Sequence, residues 1–481
     1  MNLTNLFAFL RTKNDKVAIP FLWLGISLVL YRNNLMSIVI FSIIIFFFWM
    51  LIQILARTNL FLNEGEIIGQ PSFKRKTKIF SLIMVIFVSI IILLTTLALN
   101  FVDDFGGPAQ QHDSPHFRDG TFHNLESTSL GPGENASFWG TLGDYMVSDD
   151  HRSPNVELPS KPFSLETLND GEVSVTWLGH STIFIRSNNI TILADPVFGH
   201  EGAGPLFFGP SPFPYEHTYS IEQFPDIDYV FISHDHYDHL DMSTVKALDD
   251  SKFFVPLGVK SHILEWGIET ENVQEFDWYE DINITSDLYA AMTPARHFSG
   301  RGLTNGDTTL WASWVFKLHN SSIYFSGDTG YMEEFSVIGE RYGPFDIAFL
   351  ESGQYNEAWK EIHMMPKEVV QAGLDLKADA ILPIHNSKFE LALHHWDEPL
   401  ELTSTYGLER NLTVATPMIG QNHILGEQVP TEPWWRNVSL GDQPFLKQSP
   451  LVGVMLAPLN TIALLWVIMP RLHASPSTEE E

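Results

Sequence analysis

Two stretches of this chain are apolar without interruption. Residues 35–56 and 79–101 run for 22 and 23 positions with no charged side chain. A helix that crosses a bilayer needs about 20 apolar residues, whereas a helix on a soluble core keeps a polar face. Both runs therefore predict transmembrane helices. Residues 17–31 form a third, shorter candidate that contains Pro20. Residues 451–469 form a fourth, weakened by Pro458 and Asn460 and ending before Arg471; they predict a returning span. The polar end, 471–481, predicts disorder.

From residue 173 the pattern changes to short β-branched and aromatic runs. Strands are expected at 173–177, 182–185, 190–193, 229–233, 252–255, 288–293, 313–318, 323–325, 347–350 and 380–383. Asn188-Asn189 suits a tight hairpin turn between the second and third of these. Helices are expected at 242–248, 259–266 and 366–376, the last opened by Pro366 at a position that needs no amide proton. Strands and helices mixed within roughly 250 residues argue for one α/β domain. Residues 103–170, rich in Gly, Pro, Asp, Ser and His, read as an irregular lead-in, with a globular domain over 171–449. Between 199 and 219, Leu206, Phe207, Phe208, Phe213, Tyr215 and Tyr219 fit either an apolar lip that meets lipid or an ordinary packed loop.

Charge divides the chain in two. There are 28 Lys and Arg against 58 Asp and Glu, a net of −30. Residues 1–102 hold nine basic and three acidic side chains, a net of +6, which leaves −36 for residues 103–481. So acidic a domain lacks the basic face that phosphate backbones require, so nucleic acid is excluded as a partner. Arg57, Lys74, Arg75, Lys76 and Lys78 crowd the loop between the two long runs and predict that this loop is cytoplasmic. The chain is then an integral membrane protein whose 1–102 segment is an anchor of two or three helices, with the acidic domain on the extracytoplasmic side. There is no cysteine, so disulfides, iron–sulfur clusters and thiolate zinc sites are excluded. Any metal must sit on His, Asp or Glu.

Such ligands are concentrated at His234-Asp235-His236-Tyr237-Asp238-His239, directly after a predicted strand. His234 and His236 alternate, so extended backbone points both to one side. Asp238 and His239 can turn toward a second ion as the chain leaves the strand. Imidazole and carboxylate suit zinc, manganese or iron.

This motif resembles the HxHxDH signature of the metallo-β-lactamase superfamily. Further segments are similar to the branch that contains N-acylphosphatidylethanolamine phospholipase D and ascorbate-6-phosphate lactonase-like proteins. These are 176–182 (TWLGHST), 195–198 (DPVF), 310–314 (LWASW), 325–331 (FSGDTGY) and 343–346 (GPFD). The resemblance covers roughly 173–400. It implies an α/β (α+β) fold, an αββα sandwich, and a dinuclear centre of two divalent ions, zinc foremost. It implies His234, His236 and His297 on the first ion, Asp238, His239 and His385 on the second, and Asp328 as the bridging carboxylate. Asp238 is also a candidate proton shuttle. His180 and Asp195 match motif positions that support ligands from behind. Arg296, Arg301, Tyr355 and His363 are candidates for contact with substrate.

Two cations about 3.5–4 Å apart bridge a water and lower its pKa, giving a nucleophile near neutral pH. The expected function is a membrane-anchored hydrolase in which that hydroxide attacks a phosphodiester of a small-molecule or lipid substrate at the bilayer. A lactone or other small ester on the same site, and a metal-bound sensor or scaffold without activity, are the alternatives.

Overall fold

The computed structural model describes residues 103–129, 151–199, 203–204, 209–302 and 305–438. The four apolar runs expected to meet the membrane, and the terminal tail, lie outside them. Among the described residues no helix is long and apolar enough to cross a membrane.

Two short strands, β1 (Phe117–Arg118) and β2 (Thr121–Phe122), form a hairpin within the lead-in. Two seven-stranded sheets follow. The first contains β3 (Ser174–Trp177), β4 (Ile183–Arg186), β5 (Thr191–Ala194), β6 (Tyr229–Phe231), β7 (Lys252–Pro256) and β8 (Val273–Phe276). The second contains β9 (Asp281–Asn283), β10 (Leu288–Pro294), β11 (Ala312–Leu318), β12 (Ser321–Phe325), β13 (Ile347–Glu351), β14 (Ala380–Ile384) and β15 (Thr413–Val414). The last strand, β16 (Asn422–Ile424), returns to the first sheet beside β3. Helices α1 (Met242–Ala247), α2 (Lys260–Glu265), α3 (Glu334–Arg341), α4 (Pro366–Asp375) and α5 (Glu398–Arg410) complete the fold.

The strands are apolar on both faces because each sheet is covered twice. Between the sheets lies the main core, in which Phe231 stacks on Phe254 and meets Trp314 and Phe316 edge-on. A second cluster, with Phe335, Ile338, Val369 and Val370, packs α3 and α4 onto the outer face of the second sheet. Near the upper ends of β6 and β11 the sheets are joined directly. Ala312 N–H donates to Ser233 O at 2.9 Å, and Trp314 Nε1 donates to Ile232 O at 2.9 Å.

The architecture is the expected mixed α/β sandwich, and the expected elements form with their ends displaced by one or two residues. The turn at Asn188-Asn189 closes as a two-residue hairpin, with Ser187 N–H on Ile190 O. Several elements were not anticipated. In α5 the run Thr403-Ser404-Thr405 and Gly407 disfavour helix; the helix forms because Gly407 lets it close on Val414, where a β-carbon would lie 2.3 Å from the Val414 side chain. The edge strands β9, β15 and β16 have three residues or fewer, too few for a period to register. Phe213 and Tyr219 are buried, and Tyr215 donates to Ser387 O at 2.7 Å, so these three aromatics are packed loop rather than lipid-facing lip. Leu206, Phe207 and Phe208 lie outside the described residues.

Strand direction places the chemistry. β5 and β6 are parallel, as are β12, β13 and β14, and β10 runs the same way as β12 because both are antiparallel to β11. The C-terminal ends of these strands open on the inter-sheet edge where α/β sheets carry their ligands.

Candidate metal centre

Each candidate ligand follows the end of one of those strands. Asp195 follows β5, the 234–239 loop follows β6, His297 follows β10, Asp328 follows β12 and His385 follows β14. His180 lies in the turn between β3 and β4. The backbone is held in left-handed geometry at His180 (φ 52°), Asp195 (φ 41°) and His385 (φ 64°), a costly conformation that fixed surroundings maintain and that concentrates at functional sites. Gly327 lets the Asp328 loop approach the histidine loop: at φ 56°, a β-carbon there would fall 2.4 Å from Ser233 Cβ.

Two groups of ligand atoms result. His234, His236, His297 and Asp328 each present one within 4.8 Å of the others, and so do His180, Asp238, His239 and His385. In the first group His236 Nδ1 is 2.8 Å from His234 Nε2 and 3.3 Å from His297 Nε2. Asp328 serves both groups. Its Oδ2 lies 3.8 Å from His234 Nε2 and 3.7 Å from His297 Nε2, and its Oδ1 lies 3.1 Å from His239 Nε2 and 3.2 Å from His385 Nδ1. Asp328 Oδ1 and His239 Nε2 are both buried and have no hydrogen-bond partner. Leaving such atoms unpaired is costly, and a divalent cation satisfies both at once. The donor set, imidazole with carboxylate, suits zinc, manganese or iron.

The far side of each imidazole fixes which nitrogen faces inward. His239 Nδ1–H donates to Asp195 Oδ2 at 2.7 Å, so Nε2 is the nitrogen that faces the centre. Ser233 Oγ donates to the same Asp195 oxygen at 2.5 Å and lies 2.9 Å from His234 Nδ1, so Asp195 orients His234 through the hydroxyl. His297 Nδ1–H donates to Ile362 O at 3.1 Å. His180 Nε2 lies 2.8 Å from Asp238 Oδ2.

Electrostatics agree with this arrangement for every ligand histidine except His239. Burial, reinforced by neighbouring imidazoles, pulls His234, His297 and His385 well below the ordinary histidine value. Burial likewise pulls His236 and His180 to about 4. These rings are neutral at pH 7, the form that binds metal. His239 is held well above its ordinary value, because Asp328, Asp238 and Asp195 outweigh its burial. Asp238 is held well below the carboxylate range; burial opposes this, but His239 and His180 outweigh it. Burial pushes Asp328 up to about 6.

Among the substrate candidates, His363 joins the cluster. Its ring stacks on His385 with centroids 5.4 Å apart and meets His297 edge-on at 5.1 Å. Arg296 and Tyr355 have their polar groups engaged elsewhere. The Arg296 guanidinium donates to Ser127 O, Thr128 Oγ1, Tyr331 O and Glu361. Tyr355 donates to Glu398 at 2.8 Å and stacks on His394. Arg301 is buried. It stacks 3.9 Å over Tyr237 and donates to Asp235 O and Leu240 O, clamping the 234–239 loop from behind.

Sequence reasoning missed Glu351. Buried at the end of β13, its carboxylate accepts from Met364 N–H at 3.1 Å and lies 3.0 Å from His363 Nδ1. Its signal was available: a lone acid ending an apolar strand, as Asp195 and Asp328 follow theirs. Apolar side chains flank the centre on two sides. Phe298, Trp359, Ile362 and Leu393 form one cluster, with Phe298 4.5 Å from His236. Val197, Ala203, Phe389 and Leu391 form the other, with Phe389 5.0 Å from His180.

Comparison with known proteins gives the context. A family model described as the Beta-lactamase superfamily domain matches residues 190–386. An uncharacterized protein of Mycobacterium tuberculosis is 36% identical over 339 residues, which cover 68% of this chain and 89% of that protein. The N-acyl-phosphatidylethanolamine-hydrolyzing phospholipase D 1 of Caenorhabditis elegans is 35% identical over 228 residues, 44% of this chain and 62% of that protein. A Klebsiella pneumoniae protein named outer membrane protein RomA is 53% identical over 98 residues, 20% of this chain and 74% of that protein.

Proposed function

The chain belongs to the metallo-β-lactamase superfamily of metal-dependent hydrolases, and on that premise we propose that it is a membrane-anchored dinuclear phosphodiesterase acting on a phospholipid-like substrate. The observation that carries the two-metal reading is Asp328, one oxygen turned to each group of ligands and one of them buried without a partner. His234, His236 and His297 would hold one ion and Asp238, His239 and His385 the other, with zinc the first choice for both. Two cations bound there would supply an acidified water and positive charge facing the phosphoryl group.

The chain's own residues do the rest. Asp195 keeps His239 and His234 in the tautomers that present Nε2. Asp238, kept ionised by His180 and His239, takes up at a carboxylate oxygen the proton released as the nucleophile attacks. His363, steadied by Glu351, stands beside His297 and His385 where the substrate's polar group meets the centre. The two apolar clusters beside the ligands keep water from the centre. The resemblance to the phospholipase D of Caenorhabditis elegans supports the phospholipid-like substrate class.

The anchor is residues 1–102, with two or three spans: 35–56, 79–101 and the shorter candidate 17–31. Residues 103–170 lead into a hydrolase domain over 171–449, and 451–469 returns to the bilayer. The uninterrupted apolar runs, the basic 57–78 loop and the likeness to an outer membrane protein support membrane attachment. The domain is placed on the extracytoplasmic side, with the bilayer and a lipid as its partners and no nucleic acid. The test is a substrate panel with the full chain and zinc or manganese: bis(p-nitrophenyl) phosphate, N-acyl phosphatidylethanolamine and lactones, with His236→Ala as control. Diester turnover that His236→Ala abolishes is expected. Lactone turnover without diester turnover contradicts the proposal.

A further inference from the structure

The lead-in does more than connect. Phe122 of β2 is buried in the main core, and its N–H donates to Asp307 O at 2.7 Å, which pins the hairpin to the domain. Two residues on, the chain reaches the loop that carries His297. The Asn124 carboxamide pairs with the main chain of His297 as a neighbouring strand would. Its Nδ2 donates to His297 O at 2.8 Å, and its Oδ1 accepts from His297 N–H at 3.1 Å. Oδ1 also accepts from Trp311 Nε1 at 2.9 Å, so the carboxamide is fixed at three points and has one orientation only. The following residues extend the contact. Ser127 O and Thr128 Oγ1 accept from Arg296, and Ser129 N–H donates to Glu361, which Arg296 also binds at 2.9 Å. The Glu361 loop continues into Ile362, whose carbonyl orients His297 Nδ1, and into His363.

We infer that Asn124 is a positioning residue for the metal centre, its carboxamide clamping both main-chain groups of His297 and thereby setting where that imidazole stands. The residues on either side of the clamp make the reason physical. His297 follows the last residue of β10, Pro294, by three positions, beyond the ladder that would otherwise hold its peptide. On the far side Arg296 N–H donates to Thr329 Oγ1 and Gly330 N–H to Arg296 O, which ties the loop to that of Asp328. Asn124 supplies the matching restraint on the open side. Displacements of well under an ångström at a ligand alter metal affinity, so a clamp on the ligand's own peptide acts on the centre without touching it. Residues 116–129 lie outside the 190–386 family match, yet they belong to the working unit.

This inference rests on the proposal that His297 is a ligand, and the test separates the two. Zinc affinity of the full chain is measured by chelator competition, and the cobalt-substituted form is examined by visible absorption. Asn124→Ala and the milder Asn124→Asp, which keeps the acceptor but loses the donor to His297 O, are compared with His297→Ala. Melting temperature of the metal-free proteins controls for folding. The expected result is a fall of about tenfold or more in the affinity of one ion for both Asn124 variants. A changed cobalt spectrum accompanies it, with Asn124→Asp folding like the parent. Should Asn124→Ala fail to fold, Trp311→Phe, which removes one of the three bonds at the carboxamide together with the Trp311 bond to Ala295 O, is expected to give a smaller shift of the same sign. Unchanged affinity and spectrum in a folded Asn124→Asp overturn the inference if His297→Ala loses the ion. If His297→Ala keeps both ions, the ligand proposal itself is wrong.

Discussion

Asp195 Oδ2 accepts the Nδ1 proton of His239 at 2.7 Å, and the same oxygen accepts from Ser233 Oγ, which backs His234. One buried carboxylate thus orients an imidazole in each of the two ligand groups. Asp195→Asn presents an amide that can donate to His239 Nδ1, favouring the tautomer whose proton points at the centre. We expect metal affinity to fall by about 10–100-fold while the fold persists. Chelator competition measures it; unaltered affinity shows that Asp195 serves folding alone.

The buried imidazoles predict how the metal-free protein responds to acid. His180 and His236 are held near 4, and His234, His297, His363 and His385 are also lowered by burial, against an unfolded value of about 6.5. As pH falls below 6.5 the unfolded chain takes up these protons first, so their contribution is complete above 6.5 and is lost toward pH 4. Asp328, raised to about 6, and Asp195 and Glu351, also raised, act in the opposite sense, gaining stability as pH falls. His239, raised, gives a contribution already complete at 6.5 and does not change within this window. Six groups against three leave a net loss. The melting temperature of chelator-treated protein is expected to drop steeply between pH 6.5 and 4.5; a flat profile contradicts the buried neutral imidazoles.

Gly327 is expected to tolerate no side chain. Alanine there adopts a left-handed backbone and drives its β-carbon into Ser233. Strain of this kind costs about 1–3 kcal/mol, and the relief available is movement of the Asp328 loop. Gly327→Ala should lower both the melting temperature and the metal content of the purified protein. Wild-type values for both mean that the two loops are not in this contact.

Much of this arrangement was legible in the chain because metal chemistry and strand ends leave local marks. The 234–239 motif declares itself by composition, and Asp328 stands in a Gly-Asp-Thr-Gly turn after an apolar run. What was not legible is contact between distant segments. Nothing near Asn124 in sequence points to His297, 173 positions away, and the Ser233 hydroxyl reads as an ordinary strand end. Arg296 reads as a substrate contact because it adjoins His297, yet its guanidinium is turned to Glu361 and the lead-in. Charge and neighbourhood in sequence do not report the direction of a side chain. Helix α5 was invisible for a related reason, since tertiary packing overrides its weak propensity.

The topology of the anchor has its own test. Protease added to intact cells is expected to cut within the 103–449 region, and protease added to inverted vesicles is expected to spare it. The reverse pattern would place the acidic domain in the cytoplasm.

The central claim is that these residues form a two-metal hydrolytic centre on Asp328. The most direct measurement is elemental analysis of the full chain, purified with zinc, beside Asp328→Ala and His236→Ala. Two equivalents per wild-type chain, falling to about one or fewer in each variant, is the predicted result. Fewer than one equivalent in the wild type, or two in all three proteins, would contradict it.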